Sequence, residues 1–542
     1  MMARRCVFLV VLAGLSAHGA TYCVAPDGTP QGDGSRAKPF SIHHVLKAVT
    51  LKPGDEVVFL DGVYHLPAIG GPLSIASVGN EKAPIVYRAE TRHKAILDGG
   101  TPLAGWKRAA GDAPVWELRV KTPPVGLWVD GEFLLDASSR WRRDGKQSLD
   151  EGMFAIAKPG DATGGLDEAQ GPLLAIRPWG GKEPKEVYAL PGTLVDLAGA
   201  FNVVDGLLIR RGICGVHVAG RCVHVYKPVG IYLDLSGLGN NAFGSFNILR
   251  NCVVRDMAGS ALTSNESRFN LIEDCVVYNA GIGHGDHGIY VSQGAENLTL
   301  RRNVWWRTSG GAVHIYSGTG IDSPRNIVVE RNLFGPDKRN RCFPLANRKS
   351  CAVYCWGGSR WAGGNRITHN IVFGPHDRAI SMNKSCLNLV ANNTLLGSDG
   401  APLQFAATWG DVVINNVIEC APGGPDHPGG YCNEEPDLSS FRGNLLLPRG
   451  GQGKEAPVFM KDAKLAASDP FVDRAGLDFR LKAGSDAVDI GRSLHFVTDG
   501  HAGAAPDAGA LELGQEMRGE KGLFPEIPAW LLAEWPLTKR GE

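Results

Sequence analysis

No segment beyond residue 20 holds ~18 consecutive apolar residues, so no membrane-spanning helix is expected. An excess of charge is missing too: 56 Lys plus Arg face 56 Asp plus Glu. With that neutral balance the chain lacks the overall basic field of a nucleic-acid binder, and no nucleic-acid partner is expected. Apolar residues at 3.6-residue spacing are scarce, which excludes a helical bundle or a helical repeat. Disulfide pairing cannot be complete. Of twelve Cys, Cys6 falls in the leader described below, and the remaining eleven leave at least one thiol unpaired. What is abundant is Gly (71), as a turn-rich β protein requires, in a chain of 542 residues that can bury a sizeable core.

The informative stretch runs from His284 to Tyr316. It holds two versions of one short phrase, Gly288-Ile289-Tyr290-Val291-Ser292 and Ala312-Val313-His314-Ile315-Tyr316. Related phrases begin at Ala261, Ala352, Ala379 and Pro402. Each alternates as a half-buried strand does. Aligned, they put Leu262, Ile289, Val313, Val353, Ile380 and Leu403 in one inward column, and Ser264, Val291, Ile315, Cys355, Met382 and Phe405 in a second. Thr263, Tyr290, His314, Tyr354, Ser381 and Gln404 face outward between them. An independent column keeps the same register. Leu207, Cys252, Cys275, Asn303, Asn332, Asn370, Asn393 and Asn416 each precede a mostly apolar pair, at intervals of 45, 23, 28, 29, 38, 23 and 23 residues. Periods in this range mark a solenoid. Short strands with Gly and Asn corners predict a right-handed parallel β-helix. The five Asn read as a turn ladder, because Asn tolerates left-handed backbone angles and bonds its own backbone at corners.

These phrases resemble the secreted parallel β-helix proteins of the pectate-lyase-like superfamily, which contains polysaccharide lyases and glycoside hydrolases. The resemblance covers most of the mature chain. It implies the fold strongly and the reaction weakly, since one fold hosts many chemistries. The expected architecture is all-β: a right-handed single-stranded parallel β-helix with an N-terminal capping helix and a small inserted all-β domain.

In chain order, Met1 to Ala20 has the pattern of a secretory signal peptide, with Arg4 and Arg5 before the apolar run Cys6 to Leu15. No lipobox Cys follows, so a secreted or periplasmic protein without an anchor is expected. Residues 21–105 supply a cap and the first coils, including a short helix near Ile42 to Val49; this segment resembles the opening of many exported β-helix proteins. Residues 106–198 lose the coil rhythm and read as the inserted β domain, with a tight Asp130-Gly131 hairpin turn. That hairpin resembles the one opening an insertion in some β-helix glycosidase-like proteins. Trp128, Trp141 and Trp179 there are read as core before sugar platforms. Residues 199–450 form the main β-helix, interrupted by a basic loop, Gly335 to Ser350. Residues 451–515 resemble a closing segment, and residues 516–542 a tail or cap. Cys252 and Cys275 read as stacked core residues. Cys342, Cys351 and Cys355 beside one insertion, and Cys420 with Cys432 around another loop, are the disulfide candidates.

Chemistry is expected on the outward column. Tyr290 and His314 should lie ~4.8 Å apart up the stack. Ser292, Tyr316, Trp356 and Asn383 form a parallel outer row. Asp286 and His287 lead into one strand and Asp377 and Arg378 into another at the same place, and Lys384 closes the latter. Between Arg301 and Lys384 stand fourteen Arg plus Lys against four acids, which suggests a local field for an anionic ligand. An acidic polysaccharide is the expected partner of a monomeric protein. β-Elimination beside a uronate needs a base, an acid and a cation. His287 or His314 would serve as base, Tyr290 or Tyr316 as acid, and Arg378, Lys384 or Arg307 as neutraliser; Asp286, Arg307, Tyr354, Trp356, Asp377, Asn383 and Lys384 would bind substrate.

Two other classes compete. A glycoside hydrolase needs two carboxyls roughly 5–9.5 Å apart. Asp286 and Asp377 are three coils, roughly 14 Å, apart by the spacing above, so Asp286 would need a loop partner such as Asp256 or Asp322. A non-catalytic adhesin or sugar-binding solenoid fits the repeats equally. No cofactor is expected. Ca²⁺ remains open because some lyases of this fold use it and because His284, Asp286 and His287 cluster, although a calcium site wants several carboxylates, which this face lacks.

Overall fold

The computed structural model describes residues 19–137, 149–157, 171–218, 244–282, 285–317, 323–337, 350–357, 362–421, 431–432, 438–460 and 462–535. Residues 1–18 of the leader expected at Met1 to Ala20, together with Trp141, Cys342 and most of the basic loop, lie outside these residues.

Among the described residues, the chain winds through three long parallel sheets, and the strands counted below are those of the described residues. Sheet I has twelve strands, from Thr21–Val24 to Ser440–Arg442. Sheet II also has twelve, from Gly62–His65 to Lys464–Leu465. Sheet III has nine, from Leu73–Ser74 to Leu403–Ala406. One coil is Thr299–Arg301 in sheet I, Val304–Thr308 in sheet II and Gly311–Tyr316 in sheet III. The expected phrases stack as aligned: Leu262, Ile289, Val313, Val353, Ile380 and Leu403 are successive register partners, all at 1% exposure or less. Apolar side chains at every second position meet their copies one coil above, so the core is a continuous file of Val, Ile and Leu. The helix Ile42–Ala48 buries Ile42 and Val45 over the first coils, and Ser41 caps its start by accepting from the His44 backbone N–H.

The corner between sheets I and II corrects the expected role of asparagine. The left-handed residue is the one before each ladder Asn: Arg302, Arg331, His369, Asn392 and Asn415, with φ of 56, 53, 56, 52 and 58°. The Asn then turns inward. Asn303, Asn332, Asn370, Asn393, Asn416 and Asn444 are each at 1% exposure or less, and each Oδ1 from Asn332 onward accepts the backbone N–H of the Asn one coil below. The ladder replaces the strand hydrogen bonds that the bend interrupts, as buried backbone groups demand. A second ladder of the same kind, absent from the sequence-based expectation, runs Asn202–Asn247–Asn270 and Asn365–Asn388–Asp411 between sheets III and I.

Among the described residues, the inserted domain is an eight-stranded sheet whose strands run in chain order from Thr101–Pro102 to Val187–Leu190. Thr193–Leu197, expected within the insertion, is a sheet III strand paired with Cys214–Val218. The Asp130-Gly131 turn has φ of 49 and 96°, as its hairpin requires. Trp179 donates to the Phe133 carbonyl at 3.2 Å, and Trp128 packs edge-on to Tyr188. The domain seats Phe133, Leu135 and Leu190 on Ile213, Ala258 and Ile282, at the corner where sheet II passes into sheet III. It therefore stands beside the sheet III face.

After Lys464–Leu465 the chain stops coiling and crosses the outside of sheet II. Phe479, Met517, Phe524 and Leu531 cover Val276, Val304, Trp306, Leu333 and Ile371, which point outward. Residues 516–535 are thus packed against the solenoid. The cysteine expectation is also corrected. Cys351, Cys355 and Cys420 are free thiols, so the proposed pairings through them do not form. Cys355 is a core residue in the inward column, and Cys252 and Cys275 stack in the core with their thiols directed at the Arg250 and Glu273 carbonyls, 3.2 and 3.3 Å away.

His376, 2% exposed at the sheet II–III corner, makes stability depend on pH. Burial pulls its imidazole pKa from 6.5 down to about 4, against small upward pulls from the Gly335 and Phe334 backbone. The unfolded chain takes up the proton from pH 6.5 downward, whereas the folded chain resists until about pH 4. Stability is therefore full above that window and falls through it, by roughly 3 kcal/mol once complete. Urea midpoints measured near pH 7 and near pH 4.5 should converge in His376→Phe relative to the native protein.

Candidate active site

Sheet III carries three adjacent outward rows. The central row is Asp196, His217, Thr263, Tyr290, His314, Tyr354, Ser381 and Gln404, each the register partner of the next. On one side run Asn265, Ser292, Tyr316, Trp356 and Asn383. On the other run His287, Gly311, Cys351 and Arg378. Rigid strands, rather than loops, fix these side chains.

The rows meet at two histidines. His287 Nε2 and His314 Nδ1 are 2.8 Å apart, within hydrogen-bond distance. They come from neighbouring rows and neighbouring coils, so the His287 ring leans diagonally upward. Gly311, directly above His287, leaves room for this: a Cβ there would stand 3.7 Å from His287 Nδ1, in van der Waals contact with the ring. His287 stacks on Tyr290, with ring centres 5.5 Å apart, and His314 stacks on Tyr354 at 4.7 Å. Tyr316 lies 5.5 Å from His314 and 5.8 Å from Tyr290, and its other side meets Trp356 at 5.4 Å. His287, Tyr290 and His314 are 2, 7 and 7% exposed, whereas Tyr316 and Tyr354 are half-buried and Trp356 is 36% exposed. The outward face is thus a sunken imidazole pair beneath an aromatic rim.

Burial, helped by Tyr316, drives the Tyr290 phenol pKa far above its ordinary range. Burial likewise pushes Tyr354 up to about 12. Both phenols keep their protons at neutral pH and are unsuited to removing one from a substrate.

The charged candidates separate. Arg378 Nη1 donates to Asp377 Oδ2 at 2.5 Å, so this pair is internally neutralised. Asp286, 8% exposed, accepts the Ile282 backbone N–H at 3.2 Å and shapes the corner before His287. Lys384 is exposed at the end of its strand, one residue beyond Asn383. Arg307 is corrected outright. It sits on sheet II, bonded to Glu132 of the insertion at 3.0 Å and 3.8 Å from Glu534 of the C-terminal segment, away from the histidines. The basic excess between residues 301 and 384 is also smaller in space than in sequence. Arg301, Arg302 and Arg325 are matched by Glu273, Asp274 and Glu296 from other coils, as Arg307 is by Glu132. Of the carboxylates named as partners for Asp286, Asp256 lies on sheet II, bound by Arg255 and Asn279, and Asp322 is outside the described residues, as is His284. Among the described residues, no three His, Cys, Asp or Glu side chains converge as a metal cage would.

Asp196 and His217 were absent from the expected face. Gly215-Val216-His217-Val218 fits the same short phrase as Gly288-Ile289-Tyr290-Val291, which was the available signal. A 25-residue stretch outside the described residues follows His217, and it breaks the interval that aligned the other coils.

The class of molecule is then plain: a right-handed parallel β-helix with a histidine–tyrosine cluster on the outer face of its third sheet. The family described as "Right handed beta helix region" matches residues 214–334. Two solved structures share the fold. The pectate lyase Pel9A superposes with a TM-score of 0.51 at 15% identity, over 92% of this chain and 97% of that one. XylC in complex with xylose superposes with a TM-score of 0.51 at 12% identity, over 83% of this chain and 86% of that one. No curated protein matches the chain in sequence.

Proposed function

We propose that this chain is an exported enzyme that cleaves an acidic polysaccharide by β-elimination on the outer face of sheet III. The observation that carries the proposal is the His287–His314 contact at 2.8 Å, set among phenols that hold their protons. The fold likeness to a pectate lyase agrees with it.

His314 is the base. Its Nε2 is buried beneath the aromatic rim, so a rim ring must swing aside as the sugar seats. To accept a proton there it carries its own on Nδ1 and donates that to His287 Nε2, so His287 positions the ring and fixes the tautomer. The C5 proton of the uronate passes to His314. The C–H electron pair becomes the C4–C5 double bond, the C4–O bond breaks, and the departing oxygen takes a proton from Tyr316, a half-buried phenol of the adjacent row whose ring centre lies 5.5 Å from that of His314. Tyr290 and Tyr354 pack the imidazoles from either side. Lys384 supplies the accessible cation for the uronate carboxylate, and Trp356 with Asn383 offers the sugar a face and an edge. Asp286 and Asp377 face the same strip three coils apart, roughly 14 Å at ~4.8 Å per coil, beyond the separation of a glycosidase pair.

The test is incubation with polygalacturonate, alginate and glycosaminoglycans. Ultraviolet absorbance from the new double bond should rise together with reducing ends. Reducing ends alone would mean hydrolysis, and neither, with binding retained, a sugar-binding solenoid; both overturn the proposal. On the substrate so found, Lys384→Gln should lower kcat/KM by about 10–100-fold, as loss of one charge contact to the developing negative charge predicts, and leave a methyl-esterified version of the same polymer unaffected.

A further inference from the structure

The central row continues past Tyr290 toward the N-terminal end as Thr263, His217, Asp196 and Ser74. None of these has a part in the proposed elimination. His217 Nδ1 lies 2.6 Å from Thr263 Oγ1. Asp196 is one coil below His217, half-buried, and Ser74 one coil below that is exposed, so the row opens to solvent at this end. Val195 and Leu197 on either side of Asp196 are buried in the core, which fixes the carboxyl on the outer face. Burial raises the Asp196 carboxyl pKa while His217 pulls it back, as for a carboxylate lodged beside an imidazole.

The two ends of the strip therefore differ in chemistry. Past His314 stand Trp356, Asn383 and the exposed cation Lys384. Past Tyr290 stand the buried Thr263 hydroxyl and His217 imidazole and then, where the row opens, the Asp196 carboxylate and the Ser74 hydroxyl, which can bond sugar hydroxyls while the carboxylate repels a second uronate. The geometry points to a neutral-sugar subsite at Asp196 and Ser74, backed by the buried His217 and Thr263, so that the substrate alternates acidic with uncharged sugars. This rests on the elimination site above lying at His314.

The test compares two hexasaccharides, one of galacturonate alone and one alternating galacturonate with rhamnose. Binding is read by calorimetry on the His314→Ala protein, and turnover on the native protein. The alternating hexamer should bind about tenfold more tightly. Asp196→Asn should erase that preference, by weakening the alternating hexamer and relieving the homopolymer, and Asp196→Lys should reverse it. Equal effects of Asp196→Asn on both ligands, no effect on either, or no binding of either hexamer overturns the subsite. If the charge preference persists while the native protein forms no unsaturated product, the elimination fails and the subsite stands. If unsaturated product forms without the preference, the subsite alone fails.

Discussion

His314→Ala should lower turnover on the acidic polymer by about 10²–10⁴-fold, the range a positioned general base supplies. KM should change little, because a ring 7% exposed offers little surface to bound sugar. His287→Ala tests the division of labour. It leaves the proposed base in place but removes the acceptor 2.8 Å from His314 Nδ1. Its kcat should fall nearly as far, and its pH–rate profile should shift, since the base is no longer held in one tautomer. Gly311→Val should act on the same contact from outside, by filling the space into which His287 leans. Full turnover in both histidine variants, with unchanged unfolding transitions, would place the chemistry elsewhere on the molecule. Phenol chemistry separates from this cleanly. Tyr316→Phe should lose its effect on substrates whose leaving group needs no proton, whereas a base variant stays impaired on every substrate.

The second large effect is on stability. Asn393→Leu should cost at least about 3 kcal/mol, because it strands several buried polar groups at once, each costing ~1–3 kcal/mol. Asn393 Oδ1 accepts both the backbone N–H and the side-chain amide of Asn370 at 3.0 Å. Its Nδ2 donates to the Ile367 carbonyl at 2.8 Å, the Ala391 carbonyl at 3.1 Å and Asn416 Oδ1 at 3.0 Å. Leucine has similar volume and satisfies none of these. Denaturant unfolding measures the loss. A midpoint within about 0.5 kcal/mol of the native protein, the usual range for an innocuous surface change, would show that the ladder is ornamental to the fold.

Both effects depend on features of unequal visibility in the sequence. The stacking of Tyr290 under His314 was legible because an extended strand exposes alternate side chains and each coil repeats the last. Fixing Ile289 against Val313 in the core leaves the residues between them no freedom of register. The Asn column was visible for the same reason, though its geometry was not. Asn tolerates left-handed angles, and only the backbone shows that the preceding residue, such as Arg302 at φ 56°, takes that strain and frees the amide to point inward.

The sequence by itself determined the coil, its period, the core columns and the residues on the outer strip, because these follow from local alternation repeated at a regular interval. Tertiary structure alone decided which of those residues meet and which charges remain. The His287–His314 contact is diagonal and runs beside the open space at Gly311. Arg307 left the strip because its strand belongs to another sheet. The basic excess faded because acids from neighbouring coils came alongside. Distances across coils and between sheets depend on how far the chain travels at each corner and insertion, and no pattern along one strand encodes them.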